Sequence, residues 1–321
     1  MEFFHWKRNF YSFNQSTWLF YLIFALALLF CLIIWIFRKS ISVYFNSNEQ
    51  KKYFFNLWNK KTLFTIIGLI TILFNVLRLT ILITKDYPWK WELIPLHLCR
   101  FYIILIGFLL IFNKTHLVKY FVISCFIGAI AAFIFADLGE VKSYIQDDIV
   151  YNNLIQNTES YKRAGLNVGL DSYLFWDFAL GHAYAIIMPI FLSVISGKKV
   201  KLKLREFLLG CLFLFIYSIF IFFLNWIFFA ISKNLNNPRI LISLNSNWLY
   251  LGQTGVNALG VLTQWPYSVF SLPIIFFILS YILYLLYTIL EAIKFDFTNK
   301  KIYFVYNRKL LKIKNKKEAH G

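Results

Sequence analysis

The chain has 321 residues, of which 60% are hydrophobic and 21% aromatic but only 15% charged. A soluble domain carries about 25% charged residues, so that class is excluded. Thirty-three Lys and Arg against 15 Asp and Glu give a formal net charge of +18. The cations fall between long apolar runs rather than on a polar fold, which points to phospholipid headgroups and not to nucleic acid.

A helix needs about 20 mostly apolar residues to cross a hydrocarbon core about 30 Å thick. Seven segments qualify: 18–37, 62–84, 93–112, 118–138, 172–196, 206–231 and 267–290. They predict an all-α polytopic protein of the cell membrane, the bacterial plasma membrane, with a seven-helix domain over 1–290 and a basic tail over 291–321. The first segment is too long for a signal peptide and lacks a small-residue cleavage site. Cys31 follows Leu29 and Phe30, so it is not a lipoprotein anchor. Lys and Arg on alternate sides of these spans divide 22 to 9, with Arg78 and Arg100 inside spans. By the positive-inside rule the N-terminus faces out and the C-terminus faces the cytoplasm.

Two cytoplasmic segments read as binders of anionic inner-leaflet lipid. Lys51, Lys52, Lys60 and Lys61 alternate with Tyr53, Phe54, Phe55, Leu57 and Trp58, as in an interfacial amphipathic helix. The tail carries Lys300, Lys301, Arg308, Lys309, Lys312, Lys314, Lys316 and Lys317; fixing topology alone accounts for it equally well. On the other side, the connections 139–171 and 232–266 are long enough to act as lids or binding loops.

Polar and ionisable residues within spans are costly and mark candidate functional sites. In chain order they are Asn75 and Arg78 on one face of span 2, Pro95-Leu96-His97-Leu98-Cys99-Arg100 at the start of span 3, and Asp137 at the end of span 4. Asp177 and Gly181-His182 follow in span 5, and Asn225 in span 6. At about 1.5 Å rise per residue, all of them fall in the outer half of the bundle. One buried polar site opening outward accounts for this layer.

Its residue types suit nucleophilic chemistry. A thiol attacks once deprotonated, a histidine can take the proton, and cations or amide donors can hold an oxyanion. Cys99 would be the nucleophile and His182 the base, with Arg78, Arg100 and Asn225 as oxyanion or headgroup ligands and Asp177 orienting a histidine or neutralising an arginine. On a regular helix His97 and Cys99 lie about 200° apart, which makes His97 a poor direct base. The competing account is structural: Arg–Asp pairs hold helices together, and cysteine is often a small buried apolar residue. Cys31, Cys125 and Cys211 fit that description. No C-x-x-C, H-x-x-x-H or H-E-x-x-H motif supports a metal site, no Gly-rich phosphate loop supports a nucleotide cofactor, and span 7 lacks the lysine of a retinal Schiff base.

Pro95-Leu96-His97-Leu98-Cys99-Arg100, Gly181-His182, Asn225-Trp226 and Trp265-Pro266-Tyr267 resemble the YwaF-like integral membrane proteins over roughly 62–290. Animal relatives in that family are TMEM-type acyltransferases that use a membrane-embedded cysteine and a histidine to move a fatty acyl chain between phospholipids. The resemblance implies an acylated nucleophile at Cys99, a base at His182 and a phospholipid or lysophospholipid substrate; His97, Asp177, Asp137 and Trp265 are expected in support, and no cofactor is expected. Trp226 stands where Tyr is commoner, and the 139–171 loop is expanded. With water as acceptor, the same residues would make a lipid hydrolase. Without chemistry, Arg78, Arg100 and Asp177 would hold an anionic headgroup in a binding protein or transporter.

Overall fold

The computed structural model describes residues 3–47, 51–146, 149–151, 158, 164–197, 202–235, 237–254, 260–296 and 301–304. Seven helices are long and apolar enough to cross a membrane. They are α1 (Phe13–Ile36), α3 (Lys60–Thr84), the segment Lys90–Ile111 that contains α4 (Leu98–Ile111), the segment Val122–Gly139 that contains α5 (Val122–Ile134), α6 (Tyr173–Ile195), α7 (Leu204–Asn234) and α9 (Ser268–Ala292), with short helices α2 (Arg38–Asn46) and α8 (Pro238–Leu244) between them. Polar residues set the starts: Asn59 Oδ1 accepts the Thr62 N–H at 2.8 Å before α3, and Asn237 Oδ1 accepts the Arg239 N–H at 2.9 Å before α8, where Pro238 opens the helix.

Helix α6 is the central one, packed against α1, α2, α4 and α5. The bodies of α3 and α4 approach closely because Gly68 and Gly107 face each other; a Cβ on Gly68 would lie 2.6 Å from the Gly107 carbonyl oxygen. Pro189 interrupts α6 and, lacking an N–H, leaves the Ala185 carbonyl without its helical donor. The Cys125 thiol donates to that carbonyl at 3.2 Å, and the Cys31 thiol lies 3.7 Å from the neighbouring Ile186 carbonyl. These two cysteines are therefore helix-packing donors. Helix α9 is peripheral and buries few of its residues.

Three sequence expectations need correction. Residues 51–58 are not an amphipathic helix but an antiparallel hairpin, β1 (Lys52–Tyr53) with β2 (Trp58–Asn59). Phe54, Phe55 and Asn56 take φ of 47°, 56° and 62°, a left-handed turn that no right-handed helix contains. Phe54 stacks on Trp58 at 4.9 Å, while Phe55 and Leu57 are exposed. Second, span 3 is broken: a 3-10 turn over Lys90–Leu93 gives way to extended backbone before α4 begins at Leu98. Pro95 disfavours helical backbone at the residue before it. Third, span 4 is a short α-helix flanked by 3-10 turns at Thr115–Tyr120 and Asp137–Gly139. Of the basic tail, Ile293–Asp296 pairs antiparallel with Lys301–Phe304; Lys300, Arg308, Lys309, Lys312, Lys314, Lys316 and Lys317 lie outside the described residues.

The end of the bundle that carries the N-terminus, here the N-side, is roofed by several segments. Residues 3–12 lie across it: Trp6 donates its indole N–H to the Lys85 carbonyl at 2.8 Å, and Asp171 accepts the Phe10 and Tyr11 N–H groups. Trp6 meets Tyr87, Trp89 and Tyr144 edge-on. Strand β3 (Val141–Lys142) pairs with β6 (Gly165–Leu166), and β4 (Tyr144–Gln146) with β5 (Ile149–Tyr151).

Candidate functional site

The break before α4 builds the site. His97 is the N-cap residue in extended conformation (φ −63°, ψ 137°), and the first bond of the helix runs from the Phe101 N–H to the His97 carbonyl. The N–H groups of Leu98, Cys99 and Arg100 are therefore outside the helical ladder, at the positive end of the helix dipole. Cys99 is the second residue of this turn. It is buried, with Gly128 of α5 so close that a Cβ there would lie 3.4 Å from Sγ. The 200° angle that set His97 aside assumes a regular helix and does not apply here. Nor does the depth of Cys99 follow from helical rise.

One carboxylate ties three helices together beside this turn. Asp177 Oδ2 of α6 accepts from Arg78 Nε of α3 at 3.1 Å and from Arg100 Nη2 of α4. The three side chains are 11–14% exposed, so the charges are nearly out of water and depend on one another. Arg78 also donates to the Glu92 carbonyl at 3.4 Å, and Arg100 to the Asp177 carbonyl at 3.3 Å. Gly181 leaves room for Arg100: a Cβ there would lie 3.4 Å from its Nη1.

His182 lies one residue further along α6, buried against Phe133 and Phe178. Its Nδ1 is 2.7 Å from the Phe178 carbonyl, which can only accept. Nδ1 therefore carries the proton, and in the neutral ring Nε2 keeps a lone pair. Among the described residues no hydrogen bond joins His182 to Cys99. His97 lies between the rings of Trp91, at 5.6 Å, and Tyr250, at 5.9 Å.

Asn225 does not point a free amide at the site. Its Nδ2 donates to the Trp248 carbonyl at 2.9 Å and its Oδ1 accepts the Trp248 N–H at 3.1 Å. It fixes the 247–251 turn, whose Trp248 is fully buried edge-on to Trp91. Trp265 stacks on Phe222 of α7 at 5.9 Å. Asp137 pairs with Lys142 of the roof at 3.5 Å, and Lys142 also reaches Glu140 at 3.8 Å.

The sequence reading missed the roof side of this layer. The Tyr87 hydroxyl donates to Glu92 Oε2 at 2.7 Å; burial and that carboxylate push the phenol well above its ordinary range. Burial works against the Lys142 charge, but Asp137, Glu92 and Glu140 together hold its ammonium above the usual lysine value. Tyr250 is likewise raised, by burial first and then by the negative groups around it. Glu92 carried a signal, a carboxylate at a span boundary. Tyr250 and Lys142 carried none, because only the folding of their loops brings them here.

The model of the TMEM164 family matches residues 10–284. No curated protein and no solved structure matches the chain.

Proposed function

The chain belongs to the TMEM164 family, and from that premise we propose a membrane-embedded acyltransferase that moves a fatty acyl chain between phospholipids through Cys99. The observation that carries this reading is the thiol in the first turn of α4, where the N–H groups lie outside the helical ladder and the next residue, Arg100, belongs to the Arg78–Asp177–Arg100 clamp. The His182 Nε2 takes the Cys99 proton, and the thiolate attacks the ester carbonyl of a phospholipid. The C–S bond forms as the carbonyl electrons move to oxygen, and the first-turn N–H groups with Arg100 hold that oxyanion. Collapse breaks the C–O bond, and the lysolipid alkoxide leaves with the proton from His182. A second lysolipid gives its hydroxyl proton to His182 and takes the acyl group, which restores the thiol. Asn225 serves by holding the 247–251 turn, and Asp177 by keeping the two arginines in place. Water in place of the second lysolipid would make the same residues a hydrolase.

Acyl exchange between phospholipid and lysophospholipid in proteoliposomes tests the reading. Cys99→Ala and His182→Ala should each lower the rate by about 100-fold or more, while Cys125→Ala and Cys211→Ala keep it. Full exchange by folded Cys99→Ala would leave a headgroup-binding protein as the better reading.

The 22 to 9 division of Lys and Arg favours an orientation with the N-side outward and the site open to the outer leaflet, in a cell membrane that we take to be a bacterial plasma membrane. An impermeant thiol reagent should then label a single cysteine at position 254 in intact cells but not one at 312. The reverse pattern would move the site to the inner leaflet.

A further inference from the structure

The 247–251 turn is an unusual piece of backbone. Leu249 and Tyr250 have φ of 57° and 59°, consecutive left-handed conformations in residues that have a Cβ and no side-chain polar group able to bond the local backbone. Neighbouring groups hold this conformation. Asn225 bonds both backbone groups of Trp248, the Tyr250 N–H donates to the Asn247 carbonyl at 3.1 Å, and Asn247 Oδ1 accepts the Gly252 N–H at 2.9 Å. Such a backbone persists where its surroundings over-determine it, and it marks functional positions.

What the turn delivers is the Tyr250 side chain. Its ring meets His97, the residue that caps α4, at 5.9 Å, and is itself 37% exposed, so it borders the site where the bundle opens. We infer that the Tyr250 hydroxyl, set by the left-handed 249–250 turn against His97 and the first turn of α4, is a catalytic hydrogen-bond donor to the oxyanion formed when Cys99 attacks an acyl ester. Burial, then Asp137, Glu140 and Glu92, raise the phenol above its ordinary range and keep it a protonated donor. It makes and breaks no covalent bond. It donates to the carbonyl oxygen as charge develops there and remains a phenol throughout. The backbone N–H groups of α4 approach that oxygen from the protein interior and Tyr250 from the mouth.

This inference rests on the acyltransferase reading, and the experiment separates the two. Exchange rates are measured in proteoliposomes for the wild type, Cys99→Ala and Tyr250→Phe, with the thermal midpoint of each protein. Tyr250→Phe keeps the ring against His97 and removes only the donor. It should lower kcat by about 100-fold with KM within threefold, as the loss of one oxyanion donor does, and leave the midpoint unchanged. Exchange by Tyr250→Phe within threefold of wild type, with Cys99→Ala inactive, overturns the role of Tyr250 and leaves the nucleophile standing. Full exchange by Cys99→Ala overturns both. Should Tyr250→Phe not fold, 3-fluorotyrosine at position 250 keeps the packing and strengthens the donor. A change in kcat of twofold or more then supports the role, and an unchanged kcat overturns it.

Discussion

From mid-bundle to the end opposite the N-terminus, hydrogen bonds between neutral groups join the helices. Thr71 shares a hydrogen bond of 2.7 Å with Tyr184, the Tyr102 hydroxyl pairs with Ser124 at 2.7 Å, and Cys125 serves the carbonyl freed by Pro189. At the N-side, Asp177 serves two arginines from two other helices, and Lys142 is shared between Asp137 and Glu140. Local bonds of this kind hold helices together. Beside the shared network lie the first-turn N–H groups of α4, outside the helical ladder, and the His182 Nε2, for which no hydrogen bond is found among the described residues. Both cysteine environments are buried, so burial does not distinguish a reactive thiol from a packing one. The backbone beside it does.

Substitutions sharpen this contrast. The largest effect belongs to Asp177→Ala, which strands two buried cations and should cost about 3–5 kcal/mol in denaturant unfolding; a cost under 1 kcal/mol would mean that the arginines are solvated. Asn225→Leu leaves the Trp248 N–H unpaired, at about 1–3 kcal/mol, while the Trp248 carbonyl keeps the Leu251 N–H at 3.2 Å. It should also slow acyl exchange, because the turn carrying Tyr250 loses its anchor; unaltered exchange would break the link between turn and site. Cys125→Ala removes the donor to Ala185, and about 1 kcal/mol of stability with it, while the exchange rate stays at the wild-type value. A rate lowered tenfold would erase the distinction between the two halves.

The smallest effect is a pH dependence. The Lys142 ammonium titrates higher in the folded chain than in the unfolded one. Its contribution is therefore complete below the unfolded value, about 10.4, and is lost as pH rises through the folded value. The stability difference between wild type and Lys142→Gln should hold steady from pH 7 to about 10 and close above that. A difference that closes below pH 9 would contradict the shared roof network.

The seven spans were legible because a membrane helix writes its length directly into the sequence, and the polar layer because charges inside such runs stand out. What lay beyond reach has specific causes. The alternation of Lys51, Lys52, Tyr53 and Phe54 fits an interfacial helix as well as a hairpin, and only the left-handed turn at 54–56 decides. Pro95 signals a break but not that Cys99 becomes a first-turn residue. Asn225 looked like a free donor because its partner, the backbone of Trp248, has no side-chain signature. Residues 3–12 gave no sign that they would roof the site, since their contacts reach to Lys85 and Asp171 across the fold.

The most direct test is covalent. Purified protein incubated with a phospholipid donor and no lysolipid acceptor should accumulate one acyl chain per molecule, seen by intact mass and released by neutral hydroxylamine. Peptide mapping should place it on Cys99, and it should be absent from Cys99→Ala. An acyl mass on another residue, or none while exchange proceeds, would contradict the cysteine mechanism.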